Sequence, residues 1–112
     1  MMNEILSGVR VLDFTTIVSG PYCTRLLADL GAEVIKIEPP EGDFIRMQPP
    51  IRAGKSAYFA HLNCGKKSLS LDLRQPGASD LVHELAARTR EFLLLPVDDP
   101  RRPYQLRSMQ RN

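Results

Sequence analysis

Residues 9–38, VRVLDFTTIVSGPYCTRLLADLGAEVIKIE, are the part of the chain best suited to ligand chemistry. A short apolar run leads into a loop at residues 15–20, and a helical pattern follows. The loop therefore ends at a helix N-terminus, whose unpaired N–H groups and dipole favour a phosphate or carboxylate. Gly20 is the loop's one glycine, so this is neither the G-x-G-x-x-G fingerprint nor a P-loop, which needs G-K-[ST]. Every strand-to-helix connection carries the same groups. The residues alone leave a ligand loop and a plain connection both open.

Other reactive side chains are less well placed. Glu38 closes the second apolar run, where a dinucleotide-binding fold puts the acid that holds a ribose. Without the glycine triplet, a solvated strand-end carboxylate is the simpler reading. His61 and Cys64 lie close in sequence, but a zinc site usually needs three or four paired ligands. A nucleophilic cysteine needs a base and an orienting partner as well. No metal is expected. His83 reads as helix surface. Asp13 and Asp72 stand at strand ends or edges with no identifiable catalytic partner, so structural roles are expected. Arg46, Arg52, Lys55, Lys66 and Lys67 would suit a polyphosphate, or equally a solvated edge that discourages strand pairing.

The elements that must position these groups follow from hydrophobic period and turn chemistry. A strand is expected at about residues 9–14, apolar enough to be buried on both faces. Ser19 or Gly20 can cap the next helix, and Pro21 suits its first turn. Cys23, Leu26, Leu27 and Leu30 recur at helical spacing, and Gly31 is the natural left-handed stop. Val34, Ile35 and Ile37 make a second strand ending at Glu38. Strand, helix and strand at this spacing imply a crossover and parallel pairing. Residues 44–65, with Pro49, Pro50, Gly54 and Gly65, read as an irregular excursion anchored by Tyr58 and Phe59. Residues 66–73, KKSLSLDL, alternate with period two and predict a strand. A turn at residues 75–77 leads into a helix to about Arg88, with Leu81, Val82 and Leu85 as its buried stripe. Residues 92–95 predict one more short strand. Three prolines and four arginines beyond residue 95 predict a frayed or disordered tail.

Composition bounds the class. At 112 residues one domain is expected, and 43% hydrophobic with 25% charged residues is ordinary globular usage. Residues 1–100 hold 11 Lys and Arg against 13 Asp and Glu, whereas residues 101–112 hold four arginines and no acid. The basic balance thus belongs to the tail, where Tyr104 is the lone aromatic, and no nucleic-acid partner is expected. No apolar run approaches the roughly 20 residues needed to span a bilayer, so no membrane partner is expected. MMNEILSG resembles neither a signal nor a transit peptide, and a cytoplasmic location is expected. Cys23 and Cys64 read as free thiols in a reducing compartment.

Four ordered landmarks carry a further reading. Residues 6–15 with Ser19, Gly20 and Pro21 form the first. LADLGAEVIKIE at residues 27–38 is the second, Gly42-Asp43 with Arg46 the third, and NCGKKSLSLDL at residues 63–73 the fourth. Together they resemble the N-terminus of the class III CoA-transferases, the CaiB/BaiF family, over residues 6 to about 88. The resemblance implies an α/β fold: a partial, truncated Rossmann-like CoA-binding domain with a parallel sheet at residues 1–95, followed by an irregular basic tail at residues 96–112. It implies coenzyme A, bound as acyl-CoA, against Thr16, Ile17, Val18 and Ser19, with Leu71 near the adenine. A basic residue often follows the second landmark in the family; here Pro39 stands in its place.

The family's reaction moves CoA between an acyl-CoA and a carboxylic acid through a catalytic aspartate, which forms a mixed anhydride and then a thioester. No residue of this chain matches that aspartate. The family's Asn-Phe-Arg landmark is also missing after residues 92–95. The resemblance therefore implies an incomplete enzyme with no catalytic residue of its own, inactive alone. Full-length relatives form interlocked homodimers. Acyl-CoA racemisation on the same fold, a non-catalytic nucleotide-binding module and a relic that cannot fold are the alternatives.

Overall fold

A computed structural model describes residues 5–88 together with a strand at residues 93–94. Strands β1 (Arg10–Asp13), β2 (Glu33–Glu38), β5 (Lys67–Ser70) and β6 (Leu93–Leu94) form one sheet in the order β5-β2-β1-β6. Every pairing in it is parallel, with Leu12 opposite Ile35 and Ile37 opposite Leu69. This is the parallel α/β arrangement expected of the sequence. Helix α1 (Ser19–Asp29) crosses from β1 to β2, and α3 (Ala78–Ala87) follows β5. The predicted tail lies outside the described residues. No described helix is long and apolar enough to cross a membrane.

The core lies on both faces of the sheet. Leu12, Phe14, Ile37 and Val82 are buried together, with Leu69, Leu71, Leu73 and Leu85 packed against them. Val11, Ala32 and Val34 are buried on the other face with Leu27 and Ala28. The alternation of Leu69, Leu71 and Leu73 thus faces the core as expected. The strand itself is shorter, because the chain turns at Asp72, whose carboxylate accepts from the Arg74 amide at 3.0 Å. Lys66 lies just before it.

Helix α1 is rotated from the expected face, with only Leu27 of its predicted stripe against the core, whereas α3 keeps Val82 and Leu85 inward and differs at Leu81. Cys23 is exposed, and Leu26 and Leu30 remain 45% and 44% exposed. Pro21 and Thr24 are buried instead. The reason is polar: Thr24 Oγ1 donates to Asp13 Oδ2 at 2.7 Å, which turns that face of α1 onto the sheet. The helix begins at Ser19 with Val18 as its cap and no side-chain cap bond, so neither Ser19 nor Gly20 caps it. Gly31 has φ +103° and ends the helix as expected. On α3, Val82 is buried and Leu85 half-buried, but Leu81 is exposed; Ala78 and Ala86 complete the buried face.

The excursion is more regular than its prolines and glycines suggest. It contains a short 3-10 turn at Phe44–Met47, a hairpin of β3 (Ile51–Arg52) and β4 (Lys55–Ser56), and helix α2 (Ala57–Asn63). Ser56 Oγ caps α2 by accepting from the Phe59 amide at 3.1 Å. Tyr58 and Phe59 are half-buried. Phe59 stacks beneath the Arg46 guanidinium, 3.9 Å from the ring centroid, and does not join the apolar clusters.

Arg46 ties the excursion to the sheet. Its Nε and Nη2 reach the two carboxylate oxygens of Glu38 at 2.8 and 2.6 Å. The Asp43 amide and Ser68 hydroxyl also donate to Glu38. Burial opposes ionisation of this carboxyl, but the bonds from Arg46, the Asp43 amide and Ser68 outweigh it and bring its pKa from 4.5 down to about 2.

Two outcomes follow. Leu12→Ala opens a hole where Leu12 is 1% exposed, and urea unfolding will show a loss of about 2–5 kcal/mol. A carboxyl with a depressed folded pKa stabilises above its unfolded value, and that stability is lost as pH falls from 4.5 toward about 2. The loss is on the order of 2 kcal/mol, allowing for screening of the partly exposed Arg46. Glu38→Gln will flatten this part of the stability–pH curve; an unchanged slope would refute the clamp.

Candidate functional site

The loop at residues 15–20 leaves the carboxyl end of β1 and rests on a buried polar floor. Asp13, 0% exposed, is its first anchor. Asp13 Oδ1 accepts from the Thr15 amide at 2.8 Å and from the Thr15 hydroxyl. Its Oδ2 accepts from Thr24 Oγ1 and from Lys66 Nζ, at 2.7 and 3.0 Å. Lys66 Nζ also donates to Pro21 O at 2.9 Å and Asn63 Oδ1 at 2.8 Å. Burial pushes the Lys66 ammonium below its usual pKa, while the Asp13 charge beside it opposes the shift.

A second pair mirrors the first. Lys36, 1% exposed in the middle of β2, donates from Nζ to Asp43 Oδ2 at 2.8 Å. It also reaches Asn63 Oδ1 at 3.0 Å and Thr15 O at 3.3 Å. Asp43 Oδ1 accepts from the Ile45 amide at 3.1 Å and faces the Ile17 amide at 3.5 Å. Asn63 is held in turn by its Nδ2, which donates to Phe59 O at 3.1 Å. Two ammoniums, each paired with its own carboxylate, therefore meet on one amide oxygen beneath the loop.

Above this floor the loop presents apolar side chains. Ile17 and Val18 are 51% and 39% exposed, Ser19 is exposed and Thr16 half-buried. Ile17 has φ +74°, a left-handed conformation that is strained for a β-branched residue. Gly20 is required by close approach: a Cβ there would overlap the Thr15 side chain, with Cγ2 at 2.6 Å. Leu71 follows β5 at the same carboxyl edge of the sheet, its amide donating to Glu38 O at 2.8 Å. It is half-buried against the core. Thr16, Ile17, Val18 and Ser19 thus share one sheet edge with Leu71, on strands that flank β2.

The remaining candidates are dispersed or already engaged. Glu38 is 3% exposed and committed to Arg46, so it is neither a solvated carboxylate nor an acid free to hold a ribose. Asp13 is structural, as expected. Asp72 pairs with Arg74, whose side-chain hydrogen bonds hold its carboxyl at about 2. The basic residues form no single patch. Lys66 and Arg46 are spent on carboxylates, Lys67 pairs with Glu33 near the start of β2, and Arg52 and Lys55 are exposed on the hairpin. His61 is exposed, close to Arg25 Nη1 at 3.0 Å and stacked with Tyr22. Cys64 is a free exposed thiol, and His83 is half-buried on α3 rather than fully solvated. Among the described residues no three His, Cys, Asp or Glu side chains are grouped to hold a metal. A depression of about 400 Å³ lined by Gly8, Val9, Arg10, Gly31, Glu33 and Arg88 lies at the amino ends of β1 and β2, away from the loop.

The Lys36–Asp43–Asn63 set was not foreseen from sequence. One signal for it was available: Lys36 interrupts an apolar strand, and a lysine buried in a parallel sheet must find an acid.

Comparison with known proteins supplies the family. The model of CoA-transferase family III matches residues 6–89. The succinyl-CoA:mesaconate CoA-transferase of Haloarcula hispanica is 51% identical over 73 residues, covering 61% of this chain and 18% of that protein. The formyl-CoA:oxalate CoA-transferase of Rhodopseudomonas palustris is 48% identical over 95 residues, covering 83% and 22%. Rv3272 from Mycobacterium tuberculosis superposes with a TM-score of 0.78 and 39% identity over 90% of this chain and 28% of its own. A CaiB/BaiF family protein from Brucella suis gives 0.72 and 39%, over 79% and 25%. The chain thus spans about a fifth of the length of the curated relatives it matches. Matched over three quarters of its length, the chain belongs to CoA-transferase family III.

Proposed function

We propose that this chain binds the coenzyme A part of an acyl-CoA at the carboxyl edge of its sheet, as the nucleotide-holding portion of a transferase that moves CoA to a carboxylic acid. Thr16, Ile17, Val18 and Ser19 line one side of the ligand, and Leu71 lies against its adenine end. The observation that carries this reading is the loop itself. It is strained at Ile17, apolar and exposed at Ile17 and Val18, and fixed from below by buried ion pairs. Family membership selects CoA over other nucleotides, and the engagement of Glu38 by Arg46 disfavours a dinucleotide's ribose.

The chemistry available at these residues is binding and orientation. Asp13 and Asp43 are each fully buried and held by a lysine, and Glu38 by an arginine. A carboxylate in such a pair is a poor nucleophile, because attack would strip it of its hydrogen bonds and leave a buried cation uncompensated. On this reading the residues around the loop hold the ligand for a nucleophile that they do not supply.

Isothermal titration of the 112-residue chain tests the reading. CoA and acetyl-CoA will bind, NAD will not, and acetyl-CoA incubated with the protein and a carboxylic acid will remain unchanged. Gly20→Ala, which pushes into Thr15, will weaken CoA binding by about tenfold, equivalent to roughly 1.4 kcal/mol. Binding of NAD without CoA would overturn the assignment, and turnover would overturn the division of labour.

A further inference from the structure

The strained residue of the loop is held by groups outside the strand–loop–helix unit. Ile17 keeps φ +74° although it is β-branched, and half of its surface faces solvent. Such a conformation persists where its surroundings over-determine it. Two groups bracket it from beneath. Lys36 Nζ donates to Thr15 O at 3.3 Å, and Asp43 Oδ1 faces the Ile17 amide at 3.5 Å. The two groups are themselves paired at 2.8 Å, with side chains 2% and 0% exposed.

Each partner is fixed by its own element. Lys36 comes from the middle of β2. Asp43 caps the 3-10 turn through the Ile45 amide, and its own amide donates to Glu38 Oε2 at 3.0 Å. Asp13 grips Thr15 from within β1, but the groups that face the Ile17 amide and the Thr15 carbonyl come from β2 and from the cap of the 3-10 turn, distant in sequence.

We propose that Asp43 and Lys36 are positioning residues for the acyl-CoA site. They hold Ile17 in its outward, left-handed conformation, so that the ligand meets a preformed apolar surface. This rests on the CoA-binding reading above. Preformation matters because a loop ordered only on binding spends part of the interaction energy on its own entropy.

The experiment uses the full chain and two variants. Lys36→Met/Asp43→Asn removes both charges together, which spares the fold an unpaired buried ion. Val82→Ala destabilises the core from α3 and serves as the reference for lost stability alone. Three quantities are measured: CoA affinity by calorimetry, melting temperature, and the amide resonances and hydrogen exchange of residues 15–17 by NMR. The double variant will bind CoA at least tenfold more weakly, with faster exchange and shifted resonances at Thr16 and Ile17, while the β1 amides stay protected. Val82→Ala will lower the melting temperature and leave affinity and loop resonances unchanged. If the folded double variant binds CoA as the unsubstituted chain does, the positioning role is wrong and the CoA reading stands. If the unsubstituted chain fails to bind CoA, the CoA reading fails and this inference with it.

Discussion

Two lysines and two aspartates buried around the Asn63 amide set the shape of the carboxyl edge of the sheet. Lys66 and Lys36 lie 2.8 and 3.0 Å from the same Asn63 oxygen, each opposite its own carboxylate. Taking ions out of water is costly, and the pairs repay it only because their remaining bonds are also made. Thr15, Thr24, Pro21 and Ile45 supply them. Loss of one partner strands a buried charge, at about 3–5 kcal/mol. The cluster joins β1, β2, α1, α2 and the excursion, so much of the carboxyl edge moves only if the cluster breaks.

This constraint explains features that look unrelated. Helix α1 turns Thr24 inward rather than Leu26 because Asp13 needs the hydroxyl. Helix α2, capped by Ser56, presents Asn63 at a fixed point, with its Nδ2 bonded to Phe59 O one turn earlier. Gly20 is glycine because Thr15, gripped by Asp13, occupies the space a side chain would need. At α1 and Gly20, polar geometry decides which face meets the sheet.

The same logic separates what was legible in the sequence from what was not. Strand–helix–strand order, parallel pairing, the Gly31 stop and the inward face of Leu69, Leu71 and Leu73 follow from local periodicity and turn chemistry, and all are present. On α1 hydrophobic spacing points Leu27 inward correctly but would also bury Leu26 and Leu30, because the Asp13–Thr24 bond that rotates the helix is not periodic. Helix α2 was hidden among Pro49, Pro50, Gly54 and Gly65. Its signal was Ser56 as a cap three residues before Phe59. The polar floor joins residues 13, 36, 43, 63 and 66, which only the fold brings together.

The floor also decides what the loop can offer a ligand. Asp13 with Lys66, and Asp43 with Lys36, are neutral as sets, and their lysines already donate to backbone and Asn63 oxygens. Neither ammonium is therefore spare for a phosphate, although both lie beneath a helix N-terminus. Under the proposed function, recognition by this loop rests on its backbone groups and on the exposed Ile17 and Val18. That balance favours a ligand with a long, weakly polar stretch over one that presents only phosphates. An acyl-thioester arm has such a stretch, and a bare polyphosphate does not. In the proposed site the buried charges would act on specificity indirectly: they hold an apolar surface in place and, being paired, withhold a cationic one.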